Sequence, residues 1–175
     1  MHISQMQFAF VAEQDRLLFR VNGANGEEVS AWFTRRLVKL LWPNLVRVLS
    51  HRIEQDNPAV NPQARPIMLE MKREAHLQKA DFSTPYREHP KSFPLGKEPF
   101  LVERVDLVNL TNRETRVSLK PHEGTGVDIQ MPDNMLHAFC ETLQQAAQKA
   151  SWDLRLSFQQ EASATPAQKP SLTIN

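Results

Sequence analysis

The sequence predicts an α+β fold, a mostly antiparallel sheet built from a hairpin and a meander, each followed by a covering helix. Two observations carry that prediction. Strand-period alternation falls in two blocks, residues 5–22 and 100–131, and a helix-period apolar run follows each, over 28–53 and 133–150. Strands grouped ahead of helices favour antiparallel pairing with helices laid on one face. A third observation sets the scale: 175 residues, 41% hydrophobic and 23% charged, suffice for one domain with a sizeable core. That domain is expected over 1–158, with a proline-rich connector and loop at 54–99 and a disordered polar tail at 159–175.

Met6, Phe8 and Phe10 share one face of the first strand, and Leu17, Phe19 and Val21 one face of the second, joined by the polar turn "AEQD". "NGANGEE" then turns the chain, with Asn25 as a candidate cap and Glu27 and Glu28 in the first turn of a helix, where its dipole favours negative charge. This helix is expected from about Glu28 to Ile53. Pro43 has no N–H for the Lys39 carbonyl, so a kink or break is expected near 39–43. Apolar residues from Val29 to Leu49 occupy most of the circumference, more than a one-sided surface helix needs. Trp32, Phe33, Leu37 and Leu40 are expected in the core. Trp42, Leu45 and Leu49 are expected to meet a second copy in a homodimer.

"DNPAVNPQARP" is a connector, and "PIMLEMKREAHLQKADF" a moderately amphipathic helix opened by Pro66, with Met68, Met71 and Ala75 as its stripe and Glu70–Arg73 as a surface pair. Pro85, Pro90, Pro94 and Pro99 exclude a regular element over the following loop, which Tyr86, Phe93 and Leu95 are placed to anchor. The second block puts Leu101, Val105 and Leu107, then Val117 and Leu119, then Val127, Ile129 and Met131 on inward faces; Glu103 breaks the first run and marks an edge or an ion pair. Pro132 and Asp133 open a helix to about Ala150 with Leu136, Phe139, Leu143 and Ala147 in its stripe. "SWDLRLSF" alternates Trp152, Leu154, Leu156 and Phe158 and reads as a closing strand.

The blocks "EQDRLLFRVN", "WFTRRLVKLLWP", "FPLGKEPFLVERVDL" and "LHAFCETLQQAAQKASWDLRL" together resemble a family of small bacterial, mainly proteobacterial, proteins of unknown function. The resemblance spans most of 1–158 and implies no activity, ligand or partner. The plan is also similar, in topology alone, to single-strand-binding folds of the whirly type, a weak warrant for function.

Chemistry is sparse in the chain. Between Val29 and Ile53 stand Arg35, Arg36, Lys39, Arg47 and Arg52 with no acid. The first four share a narrow polar sector and read as a solvated edge whose arginines pair with nearby carboxylates; in the alternative reading they are the candidate nucleic-acid contacts. Lys+Arg 21 against Asp+Glu 20 leaves a net charge of +1, so polyanion binding would rest on that local stripe alone. Cys140, the single cysteine, falls in an apolar pattern and reads as a buried, inert thiol. His137 lies four residues from Glu141 and three from Cys140, too few ligands for zinc, and a solvent-side His–Glu pair is the expectation. Asp81 and His89, in and near the loop, have His122 and Glu123 as candidate partners. No phosphate loop, dinucleotide fingerprint or nucleophile elbow is present, so no catalytic residue, metal or cofactor is assigned. No secretory signal or membrane-length apolar run is readable, which makes a cytoplasmic protein the expectation. The reading is therefore a non-catalytic protein-interaction or oligomerisation module, with a nucleic-acid-binding protein as the alternative and an enzyme with an unrecognised site third.

Overall fold

The hairpin forms where the alternation places it. A computed structural model of the chain describes residues 1–80, 84–110 and 113–158, and the backbone of 171–174. Strands β1 (Ile3–Val11) and β2 (Arg16–Gly23) pair antiparallel with Phe8 opposite Phe19 and Phe10 opposite Leu17. Asp15 closes the turn in the left-handed region at φ 47°.

The expected helix start at Glu28 is corrected. Residues Glu28–Thr34 form a third antiparallel strand, β3, with Val29, Ala31 and Phe33 opposite Val21, Phe19 and Leu17. All three side chains are buried, so the period is two; the adjacent bulky pair Trp32–Phe33 hides it in the sequence. Helix α1 (Arg35–Asp56) begins seven residues later than expected, and Thr34 Oγ1 caps it by accepting the Leu37 amide at 3.1 Å. Its first turn holds arginines and no acid. The helix continues through Pro43 without a break, and Asn44 Nδ2 donates to the Leu40 carbonyl at 2.8 Å one turn back.

A second correction concerns what α1 buries. It packs on β3 and, in the second sheet, on β5 (Arg104–Asn109), so its apolar circumference is used inside one chain. Trp42, Leu45 and Leu49 are 1%, 0% and 2% exposed. They cannot present a surface to a second copy, and Trp42 Nε1 donates to the Ser157 carbonyl at 3.1 Å within the same core. Leu40, expected inside, is 39% exposed, and Trp32 lies half-buried on the outer face of its sheet.

Helix α2 (Arg65–Leu77) crosses α1 and α3 (Asp133–Lys149). Its inner side carries Leu69, Lys72, Arg73 and His76, not the expected Met71 and Ala75; Met71 is 66% exposed. The second meander is β5, β6 (Glu114–Lys120) and β7 (Val127–Pro132), with Val105, Val117 and Ile129 buried. Before it, β4 (Phe100–Leu101) leaves for the first sheet and pairs parallel with β3, so the irregularity at Glu103 marks a change of sheet. The orders are β1-β2-β3-β4 and β7-β6-β5-β8, where β8 is Ser171–Ile174 paired antiparallel with β5. Part of the expected tail is thus a strand, and residues 159–170 and 175 lie outside the described residues.

Residues 151–158 are corrected in the opposite sense. Trp152 and Phe158 are buried and Leu154 and Leu156 pack on the core, yet no strand partner is present among the described residues. The Leu154 and Leu156 amides turn back to carbonyls two residues earlier instead. Each half of the chain is therefore a three-strand meander followed by a long helix. The His2–Gln130 bridge and the Met1 ammonium, donating to the Asp128 carbonyl at 2.8 Å, tie the halves together. α3 touches β1, β6 and β7, so each long helix contacts both sheets.

Candidate functional site

Arg35, Arg36, Lys39 and Arg47 are exposed on one side of α1. None of them meets a carboxylate among the described residues; Arg47 donates to Asn44 Oδ1 at 2.6 Å. Arg52 is different. It is 6% exposed, contacts Asp133 at the start of α3, and donates to Thr115 Oγ1 at 2.6 Å and the Arg113 carbonyl at 2.9 Å. Burial lowers its guanidinium below the ordinary value. Lys72 bonds Asp56 at 2.8 Å and lies 3.7 Å from Asp133, and Arg113 reaches Asp56 at 2.8 Å. The Lys72 hydrogen bond holds the Asp56 carboxyl below its usual range. Arg52, Asp56, Arg113 and Asp133 border a cavity of about 260 Å³, but with Lys72 they bond to one another, clamping α1, α2, α3 and the β5–β6 end. A carboxylate held ionised by two cations is poorly suited to general acid or base work at neutral pH.

His137 is not a solvent-side partner of Glu141. It is 1% exposed and stacks on His76 with ring centroids 4.9 Å apart. Burial and the neighbouring cations push it down to about 3. Glu141 pairs with Arg73 of α2. Cys140 is fully buried and its thiol is pushed well up, the inert state expected of it. No group of three metal-ligating side chains is present among the described residues. His122 pairs with Glu103 at 2.9 Å, His89 is exposed, and Asp81 lies outside the described residues.

The proline-rich loop is anchored across the outer face of the first sheet. Gln5 grips it with both amide atoms: Nε2 donates to the Pro85 carbonyl at 3.2 Å, and Oε1 accepts the Arg87 amide at 3.0 Å. Asn22 Nδ2 donates to the Arg87 carbonyl at 3.1 Å. Tyr86 hydroxyl donates to buried Glu28 at 3.0 Å, while the Arg20 guanidinium lies 4.6 Å over its ring. Burial first, and then Glu28, drive the phenol upward, so Tyr86 stays a neutral donor. The polar outward residues of β1–β3 are thus the loop's anchor points, and Phe93 and Leu95 are half-buried beyond it.

This anchoring builds a groove of about 580 Å³ between β1 and α3. One wall is Ser4–Phe8 of β1. The opposite wall is one side of α3, where Ala138, Thr142 and Ala146 recur at helical spacing and leave room. Pro85 and Tyr86 close the third side. The apolar lining comes from Met6, Phe8 and Met135; among the described residues the charged lining is Lys79 and Lys149, with no acid. Past the His2 bridge, the outer edge of β1 has no backbone partner among the described residues. Sequence reasoning missed this groove. Its only local signal is the small-residue spacing on α3, which is also what close helix packing requires.

Comparison of the chain with models of known protein families, with curated proteins and with solved structures finds no match in any of the three.

Proposed function

We propose that the protein is a non-catalytic interaction module that takes an extended peptide segment of a partner protein into the groove between β1 and α3. The observation that supports this reading is a strand edge without a backbone partner facing a helix side of small residues across a groove. Strand edges bind peptides by main-chain hydrogen bonds, and pockets for alternate side chains set specificity. Ser4–Phe8 offer an edge of about 13 Å, room for about four or five extended residues. A groove of about 580 Å³ is within the range of specific ligand sites. Among the described residues the groove's charged lining is two lysines, which favours a segment bearing carboxylates.

The test is selection from a displayed library of random dodecapeptides, with Thr142→Trp as the counter-target. Thr142 is half-buried on the α3 wall, and indole there fills the groove from its open side. The expected peptides are acidic, alternate in polarity, shift the amide resonances of Ser4–Phe8, and lose binding to the variant. Peptides that bind wild type and Thr142→Trp equally would defeat the proposal. A wild-type dimer that becomes monomeric in Thr142→Trp would identify the occupant as a second copy of this chain.

A further inference from the structure

We infer that the chain carries a second binding surface, for single-stranded nucleic acid, formed by the exposed cationic side of α1 with Arg16 and Trp32 on the outer face of the first sheet. This surface shares no residue with the groove.

The cations of α1 and α2 divide into two sets. Arg52, Arg65, Lys72 and Arg73 each meet a carboxylate. Arg35, Arg36, Lys39 and Arg47 do not, among the described residues, and all four are exposed. Their placement works against the helix. Arg35 and Arg36 sit in the first turn, where the peptide dipoles already present positive charge, and no acid offsets them. Lys39 lies four residues from Arg35 and three from Arg36, spacings at which like charges repel. A bound phosphate removes both penalties at once. Arg36 to Arg47 spans about 16 Å of helix, enough for about four nucleotides of a single strand.

The sheet supplies a stacking platform beside this row. Arg16 stands opposite Thr34, the cap of α1, and Leu18 stands opposite Trp32. Arg16, Leu18, Trp32 and Thr34 therefore point to the same, outer face. Arg16 and Trp32 are diagonal neighbours at about 7–8 Å. Trp32 and Arg36 are four positions apart in the chain, so their Cα atoms lie within about 14 Å. Trp32 is half-buried, whereas Trp42 and Trp152 are 1% and 5% exposed. The nearby acid Asp15 is engaged, its Oδ1 accepting the Trp152 indole at 2.6 Å.

Single strand is favoured over duplex by the shape of the site. Three sides of α1 are interior, so the helix does not protrude to enter a major groove. An anionic membrane is disfavoured because Leu40 is the only exposed large hydrophobic on this helix among the described residues.

The experiment is a titration of fluorescein-labelled 20-nucleotide oligo-dT with the full chain at 50 and 200 mM NaCl, reading anisotropy and tryptophan emission together. Four cations on a single strand predict affinity about 50-fold weaker at the higher salt. Because Trp32 is the accessible indole, stacking should quench part of the emission. Arg36→Ala combined with Lys39→Ala should lower the log–log salt slope by about 1.4 while the urea midpoint holds or rises, since the pair works against the helix. No binding at 100 μM protein in 50 mM salt overturns the inference. An unchanged slope in the double variant overturns it too, as does tighter binding to an equal-length duplex or to phosphatidylserine vesicles than to the single strand.

Discussion

Acidification to pH 4.5 should destabilise this protein chiefly through His137, with His76, also held below its ordinary value by burial, adding in the same direction. The His137 ring is 1% exposed, stacks on His76, and its Nδ1 is buried without a hydrogen-bond partner. Protonation there places a charge where desolvation opposes it first, and where His76, Lys72 and Arg73 of α2 and Arg52 of α1 repel it. The folded protein pushes the ring down to about 3, against 6.5 for an ordinary imidazole. A base whose folded value is depressed leaves the unfolded chain as the better proton binder. Its contribution to stability is therefore complete above the unfolded value and is lost as the pH falls from 6.5 toward 3. At 1.36 kcal/mol per unit, the loss between pH 7 and pH 4.5 is about 2.5 kcal/mol. The window ends where ordinary carboxylates begin to titrate, and Asp56, held below that range by Lys72, stays ionised through it. Urea denaturation at pH 7, 6, 5 and 4.5 measures the effect in wild type and in two variants, His137→Phe, which keeps an aromatic stack, and His137→Gln, which does not titrate. Both variants should show a shallower fall than wild type. Equal slopes in all three proteins, or a His137 resonance titrating near 6.5, would refute the reasoning.

Two contrasts on α1 test the packing. Leu41→Ala should cost about 2–5 kcal/mol because Leu41 is fully buried, whereas Leu40→Ala, 39% exposed, should change the urea midpoint little. Arg52→Ala should cost about 3–5 kcal/mol by stranding Asp133 against α2, and Arg47→Ala should stay within about 0.5 kcal/mol, both by the same titration.

Period-two alternation located five strands of the two meanders well: Phe8 and Phe10, Phe19, Val105, Val117 and Ile129 all face the core. It failed at β3, where Trp32 and Phe33 are adjacent and both bulky. An outward Trp32 on a sheet reads as inward on a helix, and the run into Leu37 completes the illusion. It misled again at 151–158, where alternation tracks burial but the segment pairs with no strand among the described residues. Local pattern encodes which side of a segment meets the core; it does not encode whether a neighbour lies within hydrogen-bonding reach. The groove was illegible for a related reason. Its walls come from residues far apart in sequence, and its third side depends on Gln5 and Tyr86 fastening an aperiodic loop. The cationic row was legible because it lies on one helix, but that it meets no carboxylate among the described residues required the tertiary structure.

The composition of that row is informative because packing does not dictate it. α1 lies against strands of both sheets and against α2, so most of its circumference is set by the core. The strip left in solvent was free to carry any soluble side chains. Solubility alone is served as well by mixed charges, and Glu–Lys pairs at helical spacing would have added stability. The strip instead holds like charges, two of them at the end of the helix dipole that repels them. Each such placement costs about 0.3–1 kcal/mol, and a bound anion recovers it. The proposed anionic ligand would account for a surface that, among the described residues, leaves its cations without carboxylate partners while α2 and the buried end of α1 pair theirs. The contrast between Arg52, engaged by Thr115 and Asp133, and Arg36, exposed on the same helix, is the form that this division of labour takes.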